Sequence, residues 1–284
     1  MSSGAPRARQ ATRADGPIQT TFGGLRHATR RLLIRSPRVY VPIARRRHPH
    51  GVIRPDTQIV IDGFTRSAVT FAVIAFQVAQ NDHVRVAHHL HAPAHLLAGV
   101  RRGIPVLVPI RPPEDTVLSA MIREPGVPVA QWLRSYIDFY RRLPALADRI
   151  VIAPFADVTS DFGAVTHRVN RRFGTSFFEF KHAEVDVDAV FDLIEERASR
   201  PPWQPLLGAF LAGRISYDEY RELTTEARAD VASRPVPEHR VQRPSAERGA
   251  MKDALSDGYG TPRLAGLRAR AERAYQEAVA ASGS

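Results

Sequence analysis

Cysteine is absent from the 284 residues. Structural disulfides, thiolate metal sites and thiol nucleophiles are thereby excluded. Lysine is almost absent as well. Lys181 and Lys252 are the only two, so the net charge of +11 rests on arginine. Such a balance suits anionic partners: nucleic acid, an anionic membrane surface, or a phosphorylated or sulfated small molecule. An Ala- and Arg-rich, Lys-poor composition also follows from genomic base composition, which accounts for much of the charge. Neither a stacking-aromatic motif nor a helix-turn-helix signal is present, so nucleic acid is not the expected partner. No apolar run has the length of a membrane span. Met1–Thr20 is polar, Ala/Arg/Ser-rich and without an apolar core. It does not read as a secretory signal, and a disordered basic tail on a cytoplasmic protein is expected. Internal repeats are lacking too. An apolar content of 44% over this length is enough for a full core.

What is present is organised around TQIVIDGFTRSAVTFAVIAFQVAQ, Thr57 to Gln80. Ile59–Ile61 is short, β-branched and not alternating, which predicts a strand buried on both faces. Gly63 breaks it, and the apolar pattern from Val69 to Val78 predicts a helix. Strand, tight polar turn and helix together aim backbone N–H groups at an anion. The turn departs from the nucleoside triphosphatase pattern. Ala68 stands for its second Gly and Val69 for its Lys, while Arg66 brings a planar donor fork earlier in the turn. Loss of that Lys argues against ATP or GTP hydrolysis, although an ordinary strand–helix turn with a solvated Arg fits the same residues.

Further strands are expected at Asp82–His91, Ile104–Ile110 and Ile150–Phe155, alternating with helices at Ala92–Arg102, from Thr116, at Trp132–Leu143, Asp161–Phe173 and Val185–Arg197. The alternation predicts an α/β, three-layer P-loop fold with a central parallel sheet flanked by helices. Ligands of such sheets sit beyond the C-terminal strand ends, where Arg66, His89 and Arg111 fall. Leu25–Arg47 interleaves apolar residues with Arg. It suits peripheral membrane contact or packing on the domain; packing is favoured, with Pro37 and Pro42 breaking any long helix. Residues 21–284 are expected to form one domain, with 200–243 as a lid or substrate segment, extended loop at the proline-rich chain after Arg200 and at Arg234–Arg248 with a helix at Tyr217–Ala232 between them, and a C-terminal helix at 263–281. His83, His88, His89, His91 and His95 cluster in sequence, and His91 and His95 would share a helix face. No carboxylate-rich motif follows them, so no metal is expected.

Three blocks resemble the PAPS-dependent sulfotransferases. GFTRSAVTF is similar to the family's 5′-phosphosulfate loop. Arg66, Ser67, Thr70 and Phe71 match it, while Thr65, Ala68 and Val69 replace the family's Pro, Gly and Thr. IPVLVPIRPPEDTVLSA resembles the 3′-phosphate block through Arg111, Pro113, Asp115 and Ser119. IVIAPFADVTSD with RRFGTSF resembles a third block, with Phe155 standing for a Tyr and Ala156 for a Glu. The resemblance spans Thr57–Phe178, and Arg248 falls where the family returns a basic segment.

The resemblance implies transfer of a sulfuryl group from 3′-phosphoadenosine 5′-phosphosulfate to a hydroxyl of a carbohydrate, glycolipid or small metabolite, by in-line displacement with no metal. Thr65, Arg66, Ser67, Ala68, Val69, Thr70, Phe71, Arg111, Ser119, Phe155 and Arg248 are the implied cofactor-binding residues. Arg66 would stabilise charge on the leaving oxygen, and His89, or else His91 or His88, would be the base. Two alternatives stay open: another P-loop transferase such as a small-molecule kinase, for which Asp62 lies near the magnesium position, and a degenerate anion-binding relative.

Overall fold

A computed structural model describes residues 36–229, Arg243 and 245–283. The Met1–Thr20 tail, the first part of the Leu25–Arg47 segment and residues 230–242 of the expected lid lie outside the described residues.

Four short parallel strands form one sheet in the order β2-β1-β3-β4: β1 at Ile59–Ile61, β2 at Val86–His88, β3 at Val106–Ile110 and β4 at Val151–Pro154. The register is Ile59 to Val86 on one side of β1, Val60 to Val106 on the other, and Leu107 to Val151 between β3 and β4. Alternate side chains of each strand enter two separate cores. Val60, Ala87, Val108 and Ile152 face one, and Ile59, Ile61, Leu107 and Ala153 face the other. This is why the strands are continuous apolar runs rather than alternating ones.

The first core is closed by α1 (Pro37–Arg47), α3 (Pro93–Arg101), α4 (Pro113–Arg123), α5 (Val129–Tyr140) and the last helix, α12 (Ala265–Ala280). The second is closed by α2 (Val69–Ala79), α6 (Phe155–Ser160), α7 (Phe162–Phe173), α8 (Glu184–Ser199), α9 (Gln204–Leu211) and α10 (Tyr217–Ala229). α11 (Ala246–Gly260) packs on α4. The architecture is therefore an α/β three-layer fold with a central parallel sheet. α2 is apolar all round because it is buried all round, between β1 and α8. Burying each of its large side chains, Phe71, Ile74 and Phe76, contributes about 1.5–3 kcal/mol. α7 begins on its Asp161 N-cap, which accepts from Ala164 N–H at 2.9 Å, and ends on Gly174 in the left-handed region.

The structure corrects several sequence expectations. Pro42 lies inside α1 rather than ending it. Its ring points to solvent, where water can satisfy the Arg38 carbonyl that loses its donor, while Tyr40, Val41 and Ala44 anchor the other side. The second strand is only Val86–His88, since His89 and His91 turn left-handed at its end. For the same reason His91 is not on a helix, and it shares no helix face with His95. Phe155 opens α6 instead of closing β4. The chain after Arg200 is not extended at 204–211. It forms α9, whose Leu207 and Phe210 are fully buried. Arg248 belongs to a helix, α11, started by the Ser245 N-cap. No helix among the described residues is long and apolar enough to cross a membrane.

Candidate functional site

The strand order reverses at β1. From β1 the chain moves outward to β2, then returns across β1 to β3, and a crevice opens between the C-terminal ends of β1 and β3. The residues just past those two ends, Asp62–Ala68 and Arg111, meet there.

Asp62 ties the strand ends together. Its fully buried carboxylate accepts Gly63 N–H at 3.0 Å, Leu90 N–H at 3.1 Å, His91 N–H at 3.1 Å and His95 Nδ1–H at 2.7 Å. Burial alone would raise its pKa. The hydrogen bond and charge of His95, the charge of His91 and the His91 N–H outweigh burial and hold it below the ordinary aspartate value. Gly63 must lack a side chain, since a Cβ there would lie 2.6 Å from the Pro109 carbonyl oxygen and 2.9 Å from Ser67 Oγ. Phe64 is gripped edge-on by Trp132, Tyr136 and Phe139, with ring centroids 5.6–6.3 Å away. Tyr140 donates to the Pro109 carbonyl at 3.1 Å and accepts Phe64 N–H at 3.3 Å. Ser67 Oγ donates to the Phe64 carbonyl at 2.6 Å, so its hydroxyl works inside the loop.

So pinned, the loop carries backbone strain. Arg66, Ala68, His89 and His91 all have positive φ, four of the six such non-glycine residues among the described residues. Each costs roughly 1–3 kcal/mol and persists only where its surroundings enforce it. Ala68 is the N-cap of α2 and offers no side-chain acceptor, so the first N–H groups of that helix remain available to a ligand.

Three guanidinium groups converge on this loop. Arg66 Nε–H donates to Ser119 Oγ at 2.8 Å, and Arg248 Nη2–H reaches the same oxygen at 3.4 Å. Arg111 lies over the Phe155 ring, 4.1 Å from its centroid, and extends Nη1–H to the Arg66 carbonyl at 3.5 Å. Its backbone is held by Tyr136, whose hydroxyl donates to the Arg111 carbonyl at 2.6 Å. Asp115 pairs with Arg111 at 3.4 Å and also with Lys252. No carboxylate pairs with Arg66 among the described residues. Burial, followed by the like charges of Arg248, Arg123 and Arg111, pushes the Arg66 pKa down to about 9, so the group stays cationic at neutral pH.

Two cavities flank the loop and share Arg66 and Ala68. The larger, about 510 Å³, holds Arg111, Ser119, Arg248 and Lys252 with walls from Phe71, Phe155, Phe191 and Ile194. The smaller, about 250 Å³, holds Thr65, Val69, Thr70, His89, His91, Arg123 and Arg197. The residues expected at the site thus fall into two groups around one arginine. Phe71, Arg111, Ser119, Phe155 and Arg248 are on one side; Thr65, Val69, Thr70, His89 and His91 are on the other. Ser67 lines neither.

The five histidines separate by environment. His83 is exposed and meets Glu219 at 2.7 Å, and His95 is buried on Asp62. His88 is buried, its pKa lowered to about 3 by burial and then by Arg197, against the pull of Asp62. His89 is held well below its ordinary value by burial, then by Arg197, His88 and His91. Both are neutral at physiological pH. Their Nδ1 atoms lie 2.8 Å apart, and His89 Nε2 is 3.0 Å from Thr70 Oγ1. His88 Nε2 is buried with no hydrogen-bond partner among the described residues. A proton there would be an unsatisfied donor costing about 1–3 kcal/mol. The proton therefore sits on His88 Nδ1 and is donated to His89 Nδ1, and His89 donates Nε2–H to Thr70. His91 has the opposite tautomer. Its Nδ1–H donates to the Gly63 carbonyl at 2.8 Å, which puts the basic lone pair on Nε2.

Sequence reasoning missed Arg197, Lys252 and Phe191, and had Arg123 only as part of an acceptor-selecting loop expected at Ile122–Arg134. Each sits inside a helix with no motif around it, and only the packing of α4, α8 and α11 about the loop brings them in. Among the described residues no group of three or more His, Asp or Glu is arranged to hold a metal ion. In comparison with known proteins, the chain matches no family model and no curated protein.

Proposed function

We propose that the chain transfers a sulfuryl group from 3′-phosphoadenosine 5′-phosphosulfate to a hydroxyl of a carbohydrate, glycolipid or small metabolite. One observation carries this reading: Arg66, Arg111 and Arg248 line one cavity together with Ser119, whose hydroxyl Arg66 and Arg248 both reach, and Arg66 is also at the wall of a second. Three like charges in a half-buried space repel one another and are stabilised by a multiply charged anion. The cavity's volume of about 510 Å³ and its phenylalanine walls suit a nucleotide of this size. Arg111, Arg248 and Ser119 would hold the 3′-phosphate. Arg66, the Ala68–Thr70 N–H groups and the Thr70 hydroxyl, oriented by His89, would hold the phosphosulfate.

In the reaction the acceptor oxygen bonds to sulfur while the bond from sulfur to the 5′-phosphate oxygen breaks. The acceptor proton passes to His91 Nε2, the basic nitrogen set by its bond to Gly63. Charge left on the 5′-phosphate oxygen is stabilised by Arg66. The products are a sulfate ester and adenosine 3′,5′-bisphosphate. The kinase reading is disfavoured, because the Asp62 carboxylate already accepts four donors and cannot hold magnesium without releasing them.

Calorimetric titration tests the proposal. Adenosine 3′,5′-bisphosphate is expected to bind with low-micromolar-class affinity and far more tightly than magnesium ATP. Equal binding of the two, or no binding of the bisphosphate, would overturn the assignment.

A further inference from the structure

The smaller cavity holds more positive charge than the transfer step uses. Arg66 and one histidine suffice for the chemistry proposed above. Yet Arg123, from the last turn of α4, and Arg197, from the last turn of α8, also line this cavity. Among the described residues the only carboxylate lining it is that of Glu124, an exposed residue. Arg197 has no ion-pair or hydrogen-bond partner among the described residues. It is half-buried beside the His88 and His89 imidazoles, whose protonation it opposes, and its own charge is disfavoured by burial and by Arg123. Its position is not that of a loosely tethered surface group. α8 packs along α2 through the buried Val190, Leu193 and Ile194, so the arginine is delivered from a rigid element.

We infer that Arg197 binds an oxyanion carried by the acceptor itself, so that the acceptor is an anionic hydroxy compound bearing a phosphate or carboxylate near the hydroxyl that is modified. This rests on the sulfuryl-transfer reading for the identity of the reacting hydroxyl. Arg66 stands at the junction of the two cavities and faces the donor. Arg197 lines only the smaller cavity, which has room for an anion and the few atoms linking it to a hydroxyl.

Inorganic phosphate is the probe, titrated calorimetrically into protein saturated with adenosine 3′,5′-bisphosphate. One further phosphate site is expected. It should weaken by about tenfold or more in Arg197→Gln, with bisphosphate affinity kept within about threefold. Arg197→Met, which retains the apolar stem against the helix, should behave alike and guards against a folding defect in the first variant. Repeating the titration with the phosphosulfate donor bound separates two oxyanion positions. Phosphate that still binds marks the acceptor subsite; phosphate that is displaced marks the place of the transferred group and overturns the inference. So does the absence of a second site, indifference to both Arg197 variants, or an equal loss of bisphosphate affinity. If the bisphosphate itself does not bind, the transfer reading fails separately. The anion site is then tested on the free protein, where an Arg197-dependent phosphate should persist in Arg111→Ala.

Discussion

Replacing Arg111 by alanine gives the sharpest test of how the larger cavity works. The side chain is 16% exposed, its guanidinium lies over the Phe155 ring, and the one carboxylate it pairs with among the described residues, Asp115, is shared with Lys252. A unit charge about 4 Å from another gains about 4 kcal/mol at an effective dielectric of about 20. Desolvation of both groups takes back part of this. The net loss on truncation is then about 2–3 kcal/mol, at the lower end of the range for breaking a hydrogen-bonded charge pair. That is roughly a thirty- to 150-fold rise in Kd for adenosine 3′,5′-bisphosphate. The free protein should be little affected, because the variant also removes the cost of burying that charge and, to a lesser extent, its repulsion by Arg248, which together hold the Arg111 pKa down against the pull of Asp115. The decisive comparison uses adenosine 5′-monophosphate, which lacks the 3′-phosphate. The parent should prefer the bisphosphate strongly, and Arg111→Ala should bind the two about equally. Calorimetry on the four pairs reads this directly. A change of less than about threefold, or an equal loss for both nucleotides, would refute the assignment of Arg111 to a 3′-phosphate.

Gly63→Ala should destabilise the fold by about 1–3 kcal/mol, since the new methyl meets the Pro109 carbonyl oxygen at 2.6 Å and neither backbone can yield freely; a thermal midpoint equal to the parent's would contradict this. Stability should fall as pH drops below 6.5, the ordinary histidine value, because the unfolded chain takes up protons that folded His88 refuses down to about 3 and folded His89 also refuses. Each group removes about 1.4 kcal/mol per pH unit in that window. Urea midpoints should show a shallower loss in His89→Asn, whose side chain tolerates the left-handed backbone, and a parallel curve would count against a neutral buried His89. Tyr136→Phe removes the 2.6 Å bond to the Arg111 carbonyl and should cost about 0.5–1.5 kcal/mol of stability, with weaker bisphosphate binding. Full retention of both would show that Arg111 needs no such support.

Much of the architecture was legible because it rests on local pattern. Runs such as Ile59–Ile61 and Val106–Ile110 can satisfy a sheet covered on both faces and little else. The helix expected at Asp161–Phe173 matches α7 except that Asp161 is its N-cap rather than its first residue. Elsewhere long-range packing overrode the local signal. Pro42 reads as a helix breaker, yet sits on the solvent side of α1. The proline-rich chain after Arg200 reads as a loop, yet Leu207 and Phe210 had a core to fill against α2. The alternating Val84 and Val86 suggest a longer strand than the left-handed turns at His89 and His91 permit.

The candidate site divides in the same way. Arg66 and Arg111 could be picked out from sequence because each stands a few residues past the end of an apolar strand, whereas Ser119 was singled out only by the sulfotransferase resemblance. Their meeting in one cavity could not be read, since it depends on the strand order that places β3 beside β1. The roles of the histidines were beyond reach, because tautomer and charge follow from which group lies 3 Å away. Arg197 had no sequence signal at all. It reaches the site only because α8 lies along α2, a contact between segments more than a hundred residues apart. The chain alone thus determined which segments are strands and which arginines stand at their ends, through hydrophobic burial and turn chemistry acting over a few residues. Tertiary packing decided which charges share a cavity, because electrostatic proximity between distant segments is a property of how layers stack and not of sequence order.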